Sequence, residues 1–227
     1  MLKEKRWDIK SKHTLTKTKF LLANLSIKVR TAQYEKFLEI LKPKSYTTVL
    51  DVGVTSDESL KDSNMFEKLY KYQSVLSVAT VEDANKIKKM YPKLNKVIAV
   101  KSHKKLPLND KSYDIVVSWA TLEHTGNYSD QEFFLNELLR VGKKVYITTP
   151  YRGAFYEPHT GLFFLHWLPL RIFRQICEFI GKSFWSNEQH LNPLWVSDIK
   201  KMHLNRKVEV KIFRTFNLIP SHILIIA

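Results

Sequence analysis

Five short apolar or β-branched runs recur between residues 48 and 149, and the stretches between them are helical or polar. They are residues 48–50 (TVL), 74–78 (SVLSV), 96–101 (KVIAVK), 113–118 (YDIVVS) and 144–149 (KVYITT). Such alternation predicts a doubly wound parallel sheet with right-handed crossovers. The run at 113–118 is almost wholly apolar after Asp114, as expected of a parallel strand covered on both faces. Before the first run, residues 30–41 (RTAQYEKFLEIL) carry Tyr34, Phe37, Leu38 and Leu41 at spacings of three and four, a helix stopped at Lys42-Pro43. Residues 57–71 read as a loop leading into an irregular helix. Residues 82–90 read as a short charged helix ended by Tyr91-Pro92. Residues 131–140 (QEFFLNELLR) form a helix with Phe134, Leu135 and Leu138 inward and Gly142 as its C-cap.

Beyond the fifth run the rhythm breaks. Residues 151–200 are too aromatic and histidine-rich for a plain loop and read as a helical cap over the strand ends. Residues 208–216 and 221–226 are strand-like, joined tightly through 217–220, which predicts an antiparallel terminal hairpin and seven strands in all. A chain of 227 residues holds one sizeable core. The expected organisation is a basic extension over residues 1–29 and a single domain over 30–227, with 151–200 as a cap or acceptor-binding insertion.

Charge and cysteine content narrow the setting. The formal charge of +15, from 37 Lys and Arg against 22 Asp and Glu, favours anionic partners: nucleic acid, phosphorylated sugars or an anionic membrane surface. The plainer alternative is a set of solvated helix faces. A single cysteine, Cys177, excludes an intramolecular disulfide, and without cysteine pairs or zinc spacings the expectation is a reducing compartment and no metal. There is no apolar segment of signal-peptide length at the start and no run long enough to span a bilayer, so a cytoplasmic location is expected. Residues 162–184 place Phe163, Phe164, Trp167, Ile172 and Phe179 near Arg171, Arg174 and Lys182, the makeup of an interfacial helix. That composition admits peripheral contact with the inner face of an anionic membrane, or simple packing on the domain.

The loop after the first run, in TTVLDVGVTSD at 47–57, is where a ligand is expected, because open α/β sheets bind ligands beyond the carboxyl ends of their strands. Gly53 allows close backbone approach there, although Thr55 and Asp57 stand where a glycine-rich turn would continue. Further residues carry a resemblance: Leu106-Pro107-Leu108-Asn109-Asp110-Lys111-Ser112-Tyr113-Asp114, then Leu122-Glu123-His124, then Glu137-Leu138-Leu139-Arg140-Val141, in that order. With Asp51-Val52-Gly53 they resemble the class I S-adenosylmethionine-dependent methyltransferases, in the type 11-like branch, over about residues 30–150. Thr149-Pro150-Tyr151-Arg152 and the stretch from Glu157 to Pro169 resemble a subgroup found in cell-envelope polysaccharide gene clusters. The resemblance implies a Rossmann-like fold and S-adenosylmethionine as cofactor.

It also implies site residues. Asp51, Gly53 and Thr55 match the loop under the cofactor's amino acid part. The ribose position, ordinarily acidic, falls at Ala79-Thr80, with Glu82 and Asp83 the nearest acids. Ser102, His103 and Leu106 match the adenine loop, and Ser118, Trp119 and Ala120 the methionine end. For the acceptor, His124, His159 and His166 are candidate bases, since imidazole titrates near neutrality, and Glu157 is placed to orient a histidine. The expected function is methyl transfer to a sugar or lipid-linked glycan. RNA or a small metabolite as acceptor, and a non-catalytic cofactor-binding protein, are the alternatives. Nucleic acid ranks lower because Ser118-Trp119-Ala120-Thr121 stands where amino-methylating enzymes carry an Asn/Asp-Pro-Pro-aromatic motif.

Overall fold

The structure is a computed structural model that describes residues 17–227, with side chains from residue 24 onward. Residues 1–16 of the basic extension lie outside the described residues. In chain order the elements are α1 (Lys17–Leu41), β1 (Val49–Val52), α2 (Met65–Leu69), β2 (Leu76–Thr80), α3 (Ala84–Met90), β3 (Lys96–Ala99), β4 (Tyr113–Trp119), α4 (Tyr128–Val141), β5 (Gly142–Pro150), β6 (Tyr156–Glu157), β7 (Leu162–Phe163), α5 (Leu170–Phe179), α6 (Val196–Lys201), β8 (Glu209–Thr215) and β9 (Ile219–Ile226).

Seven strands form one sheet in the order β3-β2-β1-β4-β5-β9-β8. The first five are parallel, and β9 runs antiparallel to both β5 and β8. This is the α/β architecture expected from the alternation. The last strand, not the first of the hairpin, lies beside β5. Its Ile223, Leu224 and Ile225 are buried, while β8 exposes Glu209, Lys211 and Arg214 and so makes a charged edge that resists pairing with another chain.

Side chains alternate across the strands and feed two cores. Leu50, Val52 and Val116 join Leu135 and Leu138 of α4 on one face. Val49, Ile115 and Val117 join Phe37, Phe66, Tyr70 and Tyr146 on the other. In the second core Phe37 contacts Phe66 and Tyr146 edge-on, at ring distances of 5.1 and 5.5 Å. This aromatic block seats α1 against the sheet.

Three local expectations are corrected. Helix α1 starts at Lys17 rather than residue 30, and Leu38, expected inward, is exposed, while Gln33 lies buried one turn before Phe37. Helix α4 starts at Tyr128, before residue 131, because Asn127 and Asp130 form a capping box that satisfies its first amides. Gly142 caps that helix as expected, its N–H donating to the Leu138 carbonyl, but with extended backbone, φ −92°, in place of the expected left-handed turn. It is glycine for lack of room, since a Cβ would lie 2.7 Å from the Lys144 carbonyl and 2.9 Å from Val116.

The cap is only partly helical. It begins with the β6/β7 hairpin, continues through a 3-10 turn at Leu165–Trp167 into α5, and returns through a second 3-10 turn at Ser183–Ser186. Phe173, Cys177 and Leu191 form its small core. Arg152 fixes it to the sheet end by donating to the carbonyls of His166 and Leu168, at 2.8 and 2.7 Å.

Candidate active site

Asp51 sits in β1, buried beside Glu67 of α2. Burial, then the charge of Glu67, pushes Asp51 well above the usual carboxylate range, which favours a proton on Asp51 toward Glu67. Sequence reasoning missed Glu67, whose place in a short helix gave no sign of burial. A raised folded-state pKa on an acid costs stability as pH climbs from the unfolded value of about 4 through the folded one. Asp51→Asn keeps a donor toward Glu67 without that cost. It should gain on the order of 1 kcal/mol at pH 8, with the gain shrinking toward pH 4, in urea unfolding. Destabilisation growing with pH would contradict the protonated assignment.

Gly53 follows with φ +110°, its N–H bonded to the Ala79 carbonyl at 3.0 Å. A Cβ there would lie 2.1 Å from Thr121 Oγ1, so the loop after β1 passes directly against the segment after β4. Side chains supply the closure that further glycines would otherwise give. The Glu82 carboxylate accepts from Thr55 Oγ1 at 3.1 Å, from the Ser56 amide at 2.7 Å and from Ser56 Oγ at 2.8 Å. Asn64 brackets Thr55, accepting from its amide at 3.1 Å and donating to its carbonyl at 2.8 Å.

The other expected cofactor residues fall into different surroundings. The buried Thr80 hydroxyl accepts from the Glu82 amide at 3.0 Å, so it positions Glu82. Asp83 is occupied as the cap of α3, accepting from the amides of Asn85 and Lys86. Ser102 is exposed in a turn. Leu106 belongs to the core, its amide donating to Glu137 at 2.8 Å. Ser118 Oγ donates to the Val52 carbonyl at 2.7 Å and locks β4 to β1. Trp119 packs edge-on against Phe66 at 5.3 Å, and its buried indole N–H has no partner among the described residues.

Two residues beyond Thr121, a 3-10 turn at Leu122–His124 presents Glu123 and His124. The turn is anchored from the far side: the Asn192 amide donates to the Glu123 carbonyl at 2.8 Å, and the buried Gln131 donates to the carbonyls of Leu122 and Asn192. The cap delivers His159 to the same spot. His124 Nε2 and His159 Nε2 are 3.0 Å apart, although 35 residues separate them in sequence. Glu157 holds His159 through its Nδ1 at 2.7 Å and also accepts from the amide and hydroxyl of Thr160. Burial raises Glu157, but the charge and hydrogen bonds of His159 and Thr160 outweigh it and hold the carboxyl at about 2. For His159 burial pulls downward, and Glu157 and Glu123 more than offset it, so the imidazole is raised.

Trp185 leans over the pair, 5.2 Å from His159 and 6.2 Å from His124. His166 lies elsewhere: buried, it donates from Nε2 to the Ala154 carbonyl at 2.8 Å, and desolvation lowers it, as befits a neutral group in the cap's packing. Glu123, His124, His159 and Glu157 thus form one cluster, adjoining the Gly53 loop through Thr121. Glu123 was quoted in sequence only as part of a motif, because a buried carboxylate leaves no local pattern.

Comparison with known proteins agrees with this architecture. Residues 50–145 match the family model described as a methyltransferase domain. Among solved structures the chain is similar to a SAM dependent methyltransferase from Archaeoglobus fulgidus, with 18% identity, 90% of this chain and 93% of that one covered, and a TM-score of 0.53. It is also similar to an S-adenosylmethionine dependent methyltransferase from Mesorhizobium loti, with 11% identity, 87% and 98% covered, and a TM-score of 0.58. No curated protein matches the chain. Residues 50–145 thus resemble a methyltransferase domain, and the chain has the fold of the S-adenosylmethionine-dependent methyltransferases. The matched stretch includes Gly53, Glu82, Glu123 and His124. His159 and Glu157 lie beyond it, in the cap.

Proposed function

We propose that the protein is an S-adenosylmethionine-dependent methyltransferase acting on a hydroxyl of a sugar or lipid-linked glycan. The observation that carries this reading is the contact between the Gly53 loop and Thr121, which sets the cofactor loop beside the His124–His159 pair. The residues suit the cofactor. Gly53 leaves backbone exposed at the strand ends, Glu82 holds Thr55 and Ser56 in the loop, and the Trp119 indole N–H, without a partner among the described residues, lies at the end of β4. Thr55 and the residues around Ser102 complete the set that the resemblance implies. The bound cofactor supplies an electrophilic methyl group on sulfur.

The protein's part is to hold the acceptor in line with that methyl and to ease removal of the hydroxyl proton. His159, fixed by Glu157, is the group assigned to receive the hydroxyl, with His124 beside it. The test is incubation of the protein and methyl-labelled cofactor with cell-envelope extract and, separately, with cellular RNA. Label entering the glycan fraction supports the reading. Label entering RNA alone would overturn it.

The cap's surface supports an acceptor presented at a membrane. Helix α5 buries only Phe173 and Cys177, while Phe163, Phe164, Trp167, Ile172 and Phe179 are 52, 51, 45, 43 and 92% exposed. Arg171 is exposed beside them, as an interfacial helix facing anionic lipid requires. Among the described residues no helix is long and apolar enough to cross a membrane. The protein should float with anionic liposomes at low salt, and Phe179→Glu with Trp167→Glu should leave it in the pellet fraction. Failure of the unaltered protein to float would remove the membrane part of the proposal.

A further inference from the structure

We propose that Glu123 Oε1, His124 Nε2 and His159 Nε2 hold one divalent transition-metal ion, with zinc the best fit, whose open position takes the acceptor hydroxyl. The role toward the acceptor rests on the function proposed above, whereas the metal site rests on its own geometry.

The tautomers come first. His124 Nδ1 lies 2.5 Å from the His190 carbonyl, which can only accept, so Nδ1 carries the hydrogen. His159 Nδ1 lies 2.7 Å from the Glu157 carboxylate, which acts as acceptor toward the Thr160 amide and hydroxyl as well, so this Nδ1 also carries the hydrogen. In each neutral ring the Nε2 then carries no hydrogen, and the two nitrogens face each other across 3.0 Å. Glu123 contributes a third atom. Its Oε2 accepts from Thr149 Oγ1 at 2.8 Å, but its Oε1 is fully buried with no hydrogen-bond partner among the described residues and points at the same spot, 3.7 Å from His124 Nε2 and 3.9 Å from His159 Nε2. A buried carboxylate oxygen and two half-buried imidazole nitrogens converging on one point favour a positive charge between them.

Distance separates the two ways of providing it. A proton shared by the imidazoles accounts for the 3.0 Å separation but leaves Glu123 Oε1 out of hydrogen-bond range of both rings at 3.7 and 3.9 Å. A metal ion satisfies all three atoms. A triangle with sides 3.0, 3.7 and 3.9 Å has a point about 2.1 Å from each corner, within the range of zinc–nitrogen and zinc–oxygen bonds. Two imidazoles and a carboxylate with an open position are also a donor set of catalytic zinc sites. The outer partners are in place as well: the His190 carbonyl on His124, Glu157 on His159 and Thr149 on Glu123. An ion there lowers the cost of removing a proton from a bound hydroxyl. No spacing in the sequence could announce this set, because the fold alone brings residue 159 to residues 123 and 124.

The test is metal binding by chelator-stripped protein, titrated with Zn²⁺ and with Co²⁺ in the absence of cofactor and acceptor. One equivalent should bind, with a cobalt absorption band in the visible and a higher unfolding temperature in the presence of zinc. The His124→Ala/His159→Ala double variant should lose both signals, and Glu157→Gln should bind about 10–100-fold more weakly. The exposed His203 serves as control, and His203→Ala should bind as the unaltered protein does. Unfolding of each stripped variant shows separately that it folds. If the unaltered protein binds no more ion than the double variant, the metal site is refuted, and the shared proton stands with the methyl-transfer reading intact. If the ion binds but no extract accepts a methyl group, the metal site holds and the proposed function fails.

Discussion

His159→Ala is expected to lower methyl transfer about 10²–10⁴-fold, the usual worth of a group that assists proton removal, while cofactor affinity stays as it was. The expectation follows from where the residue sits. His159 belongs to the cap, outside the stretch that matches the methyltransferase domain, and its neighbours are Glu157, His124 and Trp185. Removing it leaves the Gly53 loop and Glu82 untouched, so the loss should appear in turnover. It also leaves Glu157 without its strongest partner in a buried setting, which should cost stability of about 1–3 kcal/mol. His159→Gln restores a donor to Glu157 and so separates the two effects, because it should recover the stability and not the rate. Full turnover in His159→Ala with the true acceptor would end the assignment.

Gly53→Val should act at the other end of the site. The backbone at Gly53 has φ +110°, which a β-branched residue does not adopt without strain, and any Cβ would strike Thr121. The strained conformation alone costs about 1–3 kcal/mol. Relief requires the loop to move away from Thr121, and that movement breaks the surface offered to the cofactor. Affinity for S-adenosylmethionine should fall at least about tenfold, equivalent to 1.4 kcal/mol. Gly53→Ala, with a smaller side chain and the same φ requirement, should fall between the two. Unchanged binding in Gly53→Val would misplace the loop.

Much of the fold was legible because the parallel strands are short, apolar and evenly separated by helices, and burial on both faces leaves such runs no other use. Where the pattern failed, tertiary contacts had overridden it. The burial of Gln33 goes with packing against β5, whose Tyr146 hydroxyl donates to the Gln33 carbonyl at 2.8 Å, and Asp62 accepts from Ser26 in the extra turns of α1 and from Arg30. Gly142 is the helix cap that its place in the sequence suggested, but its crowding by Val116 and Lys144 comes from the adjoining strand and the following turn of chain, which no local pattern shows. The site divides in the same way. Asp51 within β1, and Gly53 and the His124 turn after strand ends, could be placed from order alone. Glu67 beside Asp51, Glu82 across the loop and Glu123 against the two histidines act through contacts over long sequence separations, which a local pattern does not encode. Leu106 and Ser118 were placed by the resemblance, and their hydrogen bonds show how firmly each also holds the framework.

S-adenosylmethionine should still bind this fold although Val54, Thr55 and Ser56 replace a glycine-rich turn. Calorimetric titration of the unaltered protein with S-adenosylmethionine tests it most directly. Saturable binding at one site, displaced by S-adenosylhomocysteine, is the predicted result. A flat titration in a protein shown to be folded would contradict it.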